Sequence, residues 1–393
     1  MNKEVVRKLA DAIQADRLIE TAIRLIEVPS PTRSAADVSD RLDEILRGDG
    51  FSVERPVAGW PDAPAVVSKF ASGKPGRILQ YNGHLDTVHL PFVPPRIEGG
   101  MLYGSGCSDM KGGIAACVEA MRALRQTGLL THGGVMLTAH DLHESPWGDG
   151  THVNGLIDEG YVGDAVLLPE YLASPLPVIG RGMAVLTIKI TREGQPVHEM
   201  LGGLEQPSVI RAGAEIVRRF AEVDQDLKQL NHPMAGRESL FVGRFEAGEI
   251  YNQSPIECNV AGTRRWLPGT ALTDAEAQYH GILSDVAEQH SVRIEGGFHI
   301  ARDAYRINPD DPFVSAFQSA HSAGTGEALP VGAKPFVDDG HEFVNRAGIP
   351  AITHGPDAKG AHTLNEEVAV SELVRVALVY ALTAVAFCGG IQD

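Results

Sequence analysis

A chain of 393 residues, 43% of them hydrophobic, is longer than one core usually organises, because single cores stop growing near about 250–300 residues; two domains are expected. With 34 basic against 51 acidic residues, a formal charge of −17 and no local basic stripe, the chain would repel a polyanion, which excludes nucleic acid as a partner. Cys107, Cys117, Cys258 and Cys388 are scattered without CxxC spacing, which argues against a disulfide framework or a thiolate metal site and fits a reducing cytoplasm.

The opening stretch MNKEVVRKLADAIQADRLIETAIRLIEV carries charges throughout and apolar residues at helical spacing, so it predicts one amphipathic helix over 4–26 and lacks the apolar segment of a signal peptide. No uncharged apolar run approaches the roughly 20 residues that cross a bilayer, so no membrane association is expected. There follow a helix over 35–47, strands over 65–69 and 77–81, a helix over 112–127, a strand over 134–139 and a short buried run at 164–168. This alternation predicts an α/β layer, its sheet buried between helices. Composition shifts at SPLPVIGRG, residues 174–182. A strand, a helix over 208–223, the strand-like FVGRFEAGE and IECNVAGTRRWL, a helix over 274–289 and a strand over 292–298 then give the order β-α-β-β-α-β of a ferredoxin-like unit. Residues 181–298 thus read as an insertion into a domain made of 1–180 plus 299–393. That domain resumes with a helix over 313–323, a strand over 351–353 and a helix over 371–387.

Residues able to carry chemistry gather after the strands. YNGHLDTVHL ends an apolar strand with His84 and Asp86, which share a face, so a metal-ligating imidazole could have a carboxylate behind it that orients the ring. In YGSGCSDMKGG, small neighbours around Asp109 let a carboxylate approach two cations closely. TAHDLHESPWGDGTH packs His140, Asp141, His143, Glu144, Asp149 and His152 into one loop after a buried strand, where sites form in α/β sheets. Glu170 closes AVLLPE, and His362 lies in the glycine-rich HGPDAKGAHTLNEEV. His84, Asp109, Glu144, Glu170 and His362 together form a mixed nitrogen and oxygen set suited to Zn, Co or Mn.

GHLDTV, GSGCSDMKGG, a Glu-containing loop, PE and AHTLNE, in that order across nearly the whole chain, resemble the M20 family, which includes aminoacylase, acetylornithine deacetylase, succinyl-diaminopimelate desuccinylase and carboxypeptidase G. The resemblance implies a zinc-exopeptidase-like mixed-sheet catalytic domain with an inserted ferredoxin-like lid that pairs two subunits into a homodimer. It implies two divalent ions, zinc foremost. His84 and Glu170 would hold one, Glu144 and His362 the other, with Asp109 bridging and Asp86 behind His84. It further implies that His198 of REGQPVHEM stabilises the oxyanion, and that Asn252 and Arg265 of the lid bind substrate, Arg265 gripping a carboxylate in preference to Arg264.

One departure stands out. Family members usually carry Glu-Glu where this chain has His143-Glu144, the first Glu being the general base. Either His143 is the base, which an imidazole's ordinary pKa near 6.5 permits, or Asp141 is, or hydrolysis has been lost. A shifted register, with Glu144 as base and Asp149 or His152 as ligand, fits the spacing less well. FVDDGHEF also matches loosely, leaving Asp338, Asp339 and His341 either to shape specificity or to form an exposed loop ahead of a helix. The expected activity is hydrolysis of an amide bond in a small carboxylate-bearing substrate, an N-acyl amino acid or short peptide. The alternatives are a ureido or carbamoyl amidohydrolase, or a non-catalytic metal-binding protein of the same fold.

Overall fold

The structure is a computed structural model and describes residues 1–144 and 146–389. It divides into two compact units: residues 1–178, 306–334 and 338 onward, and residues 179–305 with 335–337.

A six-stranded mixed sheet organises the first unit, in the order Ser52–Glu54, Val66–Ala71, Gly134–His140, Ile78–His84, Ala165–Leu168, Ala351–Thr353. The last four strands run parallel, with His84 opposite His140 and Leu168 opposite Thr353. Their carboxyl ends therefore share one edge, where α/β sheets place ligands. Gly134–His140 and Ala165–Leu168 are buried throughout, as expected of strands covered on both faces. One face is covered by the helix Thr151–Asp158, whose Leu156 packs with Val67 and Met136 and whose Val153 packs with Val166 and Leu168. On the other, the helices Lys111–Thr127 and Val370–Cys388 pack on Ile78–His84, and the Tyr81 hydroxyl donates to the carbonyl of Tyr380 at 2.9 Å.

Two expectations need refinement. The helix expected over 4–26 is two helices, Lys3–Ala12 and Ala15–Ile26. The break lets the Gln14 amide donate to the buried Glu119 carboxylate at 2.8 Å, beside the Arg17 guanidinium. A buried charge needs such donors, and no local proline or glycine marks the break. By length and composition, Val370–Cys388 is apolar enough to cross a membrane, but Leu373, Val376, Tyr380 and Leu382 lie fully buried against the rest of the first unit.

His354, just past the strand Ala351–Thr353, is fully buried with its ring among Phe317, His321 and Tyr380, and neither ring nitrogen has a hydrogen-bond partner among the described residues. Burial, with Arg375 and His321 nearby, holds its pKa well below the ordinary histidine value. The folded state keeps the ring neutral while the unfolded chain gains a proton below about pH 6.5. Stability from this group is therefore complete above that pH and declines as pH falls below it. His354→Phe should raise the melting temperature by removing an unpaired polar group that costs about 1–3 kcal/mol, and should flatten the acid-side decline. An unchanged or lower melting temperature would contradict this.

The second unit has the elements Gly182–Thr191, helix Val209–Leu227, Ser239–Ala247, Glu257–Trp266, helix Leu272–His290 and Arg293–Arg302. Its sheet is antiparallel throughout, ordered Ser239–Ala247, Glu257–Trp266, Gly182–Thr191, Arg293–Arg302, which is the ferredoxin-like arrangement. Ala184, Leu186, Ile188 and Ile190 point to one face and pack with Ile216, Phe220 and Leu283 of the two helices, while Val185, Thr187 and Lys189 alternate onto the open face.

Candidate metal centre

At the shared edge of the parallel strands, five groups from five separate loops converge. His84 Nε2 lies 3.1 Å from Asp109 Oδ1 and 3.8 Å from Glu170 Oε1. His362 Nε2 lies 3.2 Å from Asp109 Oδ2 and 3.2 Å from Glu144 Oε2. The two oxygens of Asp109 thus face two different histidines, each with a further carboxylate. Two ligand atoms about 2.0–2.1 Å from one tetrahedral zinc ion lie roughly 3.3 Å apart, so these separations fit two cation positions sharing Asp109. His84, Asp109, Glu144 and Glu170 are all buried. Without a cation the cluster is electrostatically costly. Burial and the neighbouring Asp109 push the Glu170 carboxyl well above its ordinary range. Burial works against ionisation of Asp109 too, but hydrogen bonds from His362 and His84 outweigh it and hold this carboxyl low.

Local sequence explains how the loops reach the site. Helix Lys111–Thr127 begins two residues after Asp109, and a Cβ on Gly112 or Gly113 would lie 2.3 Å from the Cys107 carbonyl oxygen or 2.0 Å from that of Pro169. Only glycine allows the start of the helix to press against the strand end that carries Glu170. Leu142 adopts φ 68° and His362 φ 62°, left-handed conformations that cost a non-glycine residue about 1–2 kcal/mol. Such strain gathers where function holds the chain in place.

Asp86 acts differently from the expectation. The nearest acceptor to His84 Nδ1 is the main-chain carbonyl of Asp86, at 2.9 Å, while its carboxylate is 3.6 Å away. The carboxylate instead accepts from the amides of His143 and Glu144, at 3.1 and 2.9 Å, and so anchors the next loop.

Of the six titratable residues in that loop, two reach the cluster. Asp141 is occupied elsewhere, accepting from the amides of Arg33, Ala35 and Leu142 and from the Trp60 indole, which removes it as an alternative base. His152 Nδ1 accepts from the Asp141 amide, and Asp149 accepts from the Thr151 amide at the start of a helix, so neither supplies the ligand that a shifted register would require.

His143 does reach the cluster, with Nε2 3.9 Å from Glu170 Oε1, and its ring stacks on His84 with centres 4.0 Å apart and planes 1° from parallel. Coplanar rings at that distance would overlap, so these lie face to face. Each imidazole lone pair lies in its own ring plane, and two stacked planes cannot both contain one ion. In this arrangement His143 therefore does not share an ion with His84, although the donor atoms of His84, His143 and Glu170 lie close enough together to suggest it.

Two residues outside the expected ligand set support the site. Asp339 Oδ2 accepts from His143 Nδ1 at 2.9 Å and lies 3.3 Å from His140 Nε2. Asp338 and Asp339 are both buried, which removes the exposed-loop reading of FVDDGHEF, and Asp338 pairs with the buried Lys334. Glu366, the acid in AHTLNE, accepts from the amides of Gly106, Ser108 and Asp109 and from the Ser108 hydroxyl, clamping the loop that presents Asp109. Glu366→Ala should weaken metal binding by about 10–100-fold, measured by competition with a chromogenic chelator; unchanged affinity would show that the loop holds without the clamp.

His198, Asn252 and Arg265 lie in the second unit. His198 Nε2 is 3.0 Å from Asn252 Nδ2, and both residues are partly or fully open to solvent. Arg264 is buried in an ion pair with Glu238, whereas the half-buried Arg265 guanidinium makes no ion pair among the described residues.

Residues 81–386 match the family model of peptidase family M20/M25/M40. The chain is 25% identical to an N-formyl-4-amino-5-aminomethyl-2-methylpyrimidine deformylase of Bacillus subtilis strain 168, over 95% of each chain. It is 27% identical to a succinyl-diaminopimelate desuccinylase of Methylobacterium sp. strain 4-46, over 91% of this chain and 92% of that one. Among solved structures it overlays a dinuclear metal-binding M20 peptidase of Bacillus subtilis with a TM-score of 0.69 at 15% identity, over 96% of this chain and 99% of that one. The chain belongs to peptidase family M20/M25/M40 and is a hydrolase acting on amide bonds.

Proposed function

We propose that the protein hydrolyses the amide bond of a small N-acylated substrate bearing a carboxylate, with two divalent ions, zinc foremost, held by His84, Asp109 and Glu170 on one side and His362, Asp109 and Glu144 on the other. The observation that carries this reading is the split of Asp109, whose two oxygens pair separately with His84 and His362. When bound, the ions would acidify water and polarise the scissile carbonyl.

The protein's own groups have distinct tasks. His143 takes the water proton through Nε2, in place of the family's glutamate. Stacking on His84 keeps its lone pair off that residue's ion, and its side chain is 11% exposed, open to water. Asp86 holds the backbone of His143 and Glu144 in position for this transfer. We assign His198, hydrogen-bonded to Asn252, to the developing oxyanion, Asn252 to substrate binding and Arg265 to the substrate carboxylate; the commitment of Arg264 to Glu238 favours Arg265 for the last role. Pairing of two copies through the second unit and residence in the cytoplasm belong to the same proposal.

A panel of N-formyl, N-acetyl and N-succinyl amino acids, dipeptides and ureido acids tests it, with the zinc-loaded protein and with Arg265→Ala. The expected result is turnover of an N-acylated acid, with KM raised about tenfold or more in Arg265→Ala by loss of a charge-assisted pair. Turnover confined to ureido acids would overturn the amide assignment, and two bound ions without turnover of any compound would favour a non-catalytic binding protein.

A further inference from the structure

We infer that Asp339 is the positioning residue of the base: it fixes His143 in the Nδ1–H tautomer and so presents Nε2 as the proton acceptor. The inference rests on the reading of His143 as base and adds the residue on which that base depends.

A neutral imidazole carries one proton, and its other nitrogen accepts. For a base at position 143 to face the metal cluster, the proton must sit on Nδ1. The structure supplies one carboxylate for that purpose. Asp339 is 1% exposed, and its Oδ2 lies 2.9 Å from His143 Nδ1, within ordinary hydrogen-bond distance. On the opposite side of the ring, Nε2 points toward Glu170, with the His84 ring stacked against the imidazole face. Hydrogen bond and stack together fix both the direction and the rotation of the ring.

Family glutamates at this position need no such partner, because either carboxylate oxygen can accept a proton. A histidine substituted alone could place its proton on either nitrogen, and in the Nε2–H tautomer Nε2 could not take the water proton. His143 and Asp339 lie 196 residues apart in sequence and meet only in the fold, so the pairing cannot arise from local geometry. The logic is that of a carboxylate orienting a catalytic imidazole on unrelated folds.

Three variants of the zinc-loaded protein test it. Asp339→Asn should lower kcat by about 10²-fold or more with little change in KM and with two ions still bound. In the His143→Glu background, where there is no imidazole to orient, the same Asp339→Asn change should cost less than about threefold, because the two sites act through one interaction. An equal loss in both backgrounds would overturn the inference and make Asp339 a structural or metal-supporting group. Should His143→Glu be inactive, nitrogen NMR of histidine-labelled protein decides, with His143 assigned by difference from His143→Gln. The expected wild-type signature is a protonated Nδ1 and a bare Nε2, shifted toward the opposite tautomer in Asp339→Asn; a protonated Nε2 in the wild type would overturn the inference. Full kcat in His143→Gln would sink the base reading instead, leaving the tautomer result to stand or fall separately.

Discussion

His143→Ala should lower kcat by about 10²–10⁴-fold, the usual contribution of a positioned general base, while both metal ions remain bound. The expectation follows from three observations on one side chain. Its ring stacks on His84, so its lone pair is not directed at the ion that His84 would hold; Nε2 faces Glu170; and its Nδ1 is held by a buried carboxylate. His143→Glu, which puts a carboxylate in the place proposed for the base, should recover much of the lost rate. If His143→Ala instead released an ion while His143→Glu retained it, the residue would be a ligand and the stacked arrangement would not describe the loaded enzyme. Unchanged turnover in His143→Ala would mean that no proton passes through this residue.

Asp109→Asn should abolish turnover and weaken the binding of both ions, because an amide offers one oxygen where the carboxylate offers two. Loss of one ion alone would show that the two positions are not bridged. The same cluster predicts how metal binding depends on pH. In the metal-free protein, hydrogen bonds to Asp109 and Glu144 raise the pKa of His362 to about 10. A raised folded-state value means that this group stabilises the metal-free fold fully below about pH 6.5 and loses that contribution as pH rises through about 10. A metal ion needs the unprotonated imidazole, so it competes with this proton, and affinity should climb across that window. Zinc titration calorimetry at pH 7.5 in buffers of different ionisation enthalpy should report proton release, and release should diminish in His362→Gln. The absence of release in the wild type would remove His362 from the ligand set.

Much of this was legible in the sequence because the chemistry sits at strand ends, and strand ends are local. GHLD and LLPE set their donors at strand ends, SDMKGG sets Asp109 just ahead of the helix Lys111–Thr127, and the parallel register that aligns His84 with His140 carries the strand-borne donors to one edge. The pairings made across the sheet were hidden. Asp339 reaches His143 over 196 residues, and Glu366 clamps Ser108 from 258 residues away; neither leaves a periodicity or a local motif behind. The loop after His140 carries more ligand-type residues than the cluster uses, for a related reason. Asp141, Asp149 and His152 are the same residue types as ligands, but backbone amides engage all three, and which polar group a buried amide will choose is decided by the fold. The break between the first two helices is similar: it answers to Glu119, more than a hundred residues later in the chain.

The most direct test of a two-ion amide hydrolase is turnover as a function of zinc returned to chelated protein, with an N-acyl amino acid that the intact enzyme cleaves. The account predicts no rate without metal and full rate only as the second equivalent binds. Full rate in the chelated protein, or a rate that saturates at one equivalent and is indifferent to Asp109→Asn, would contradict it.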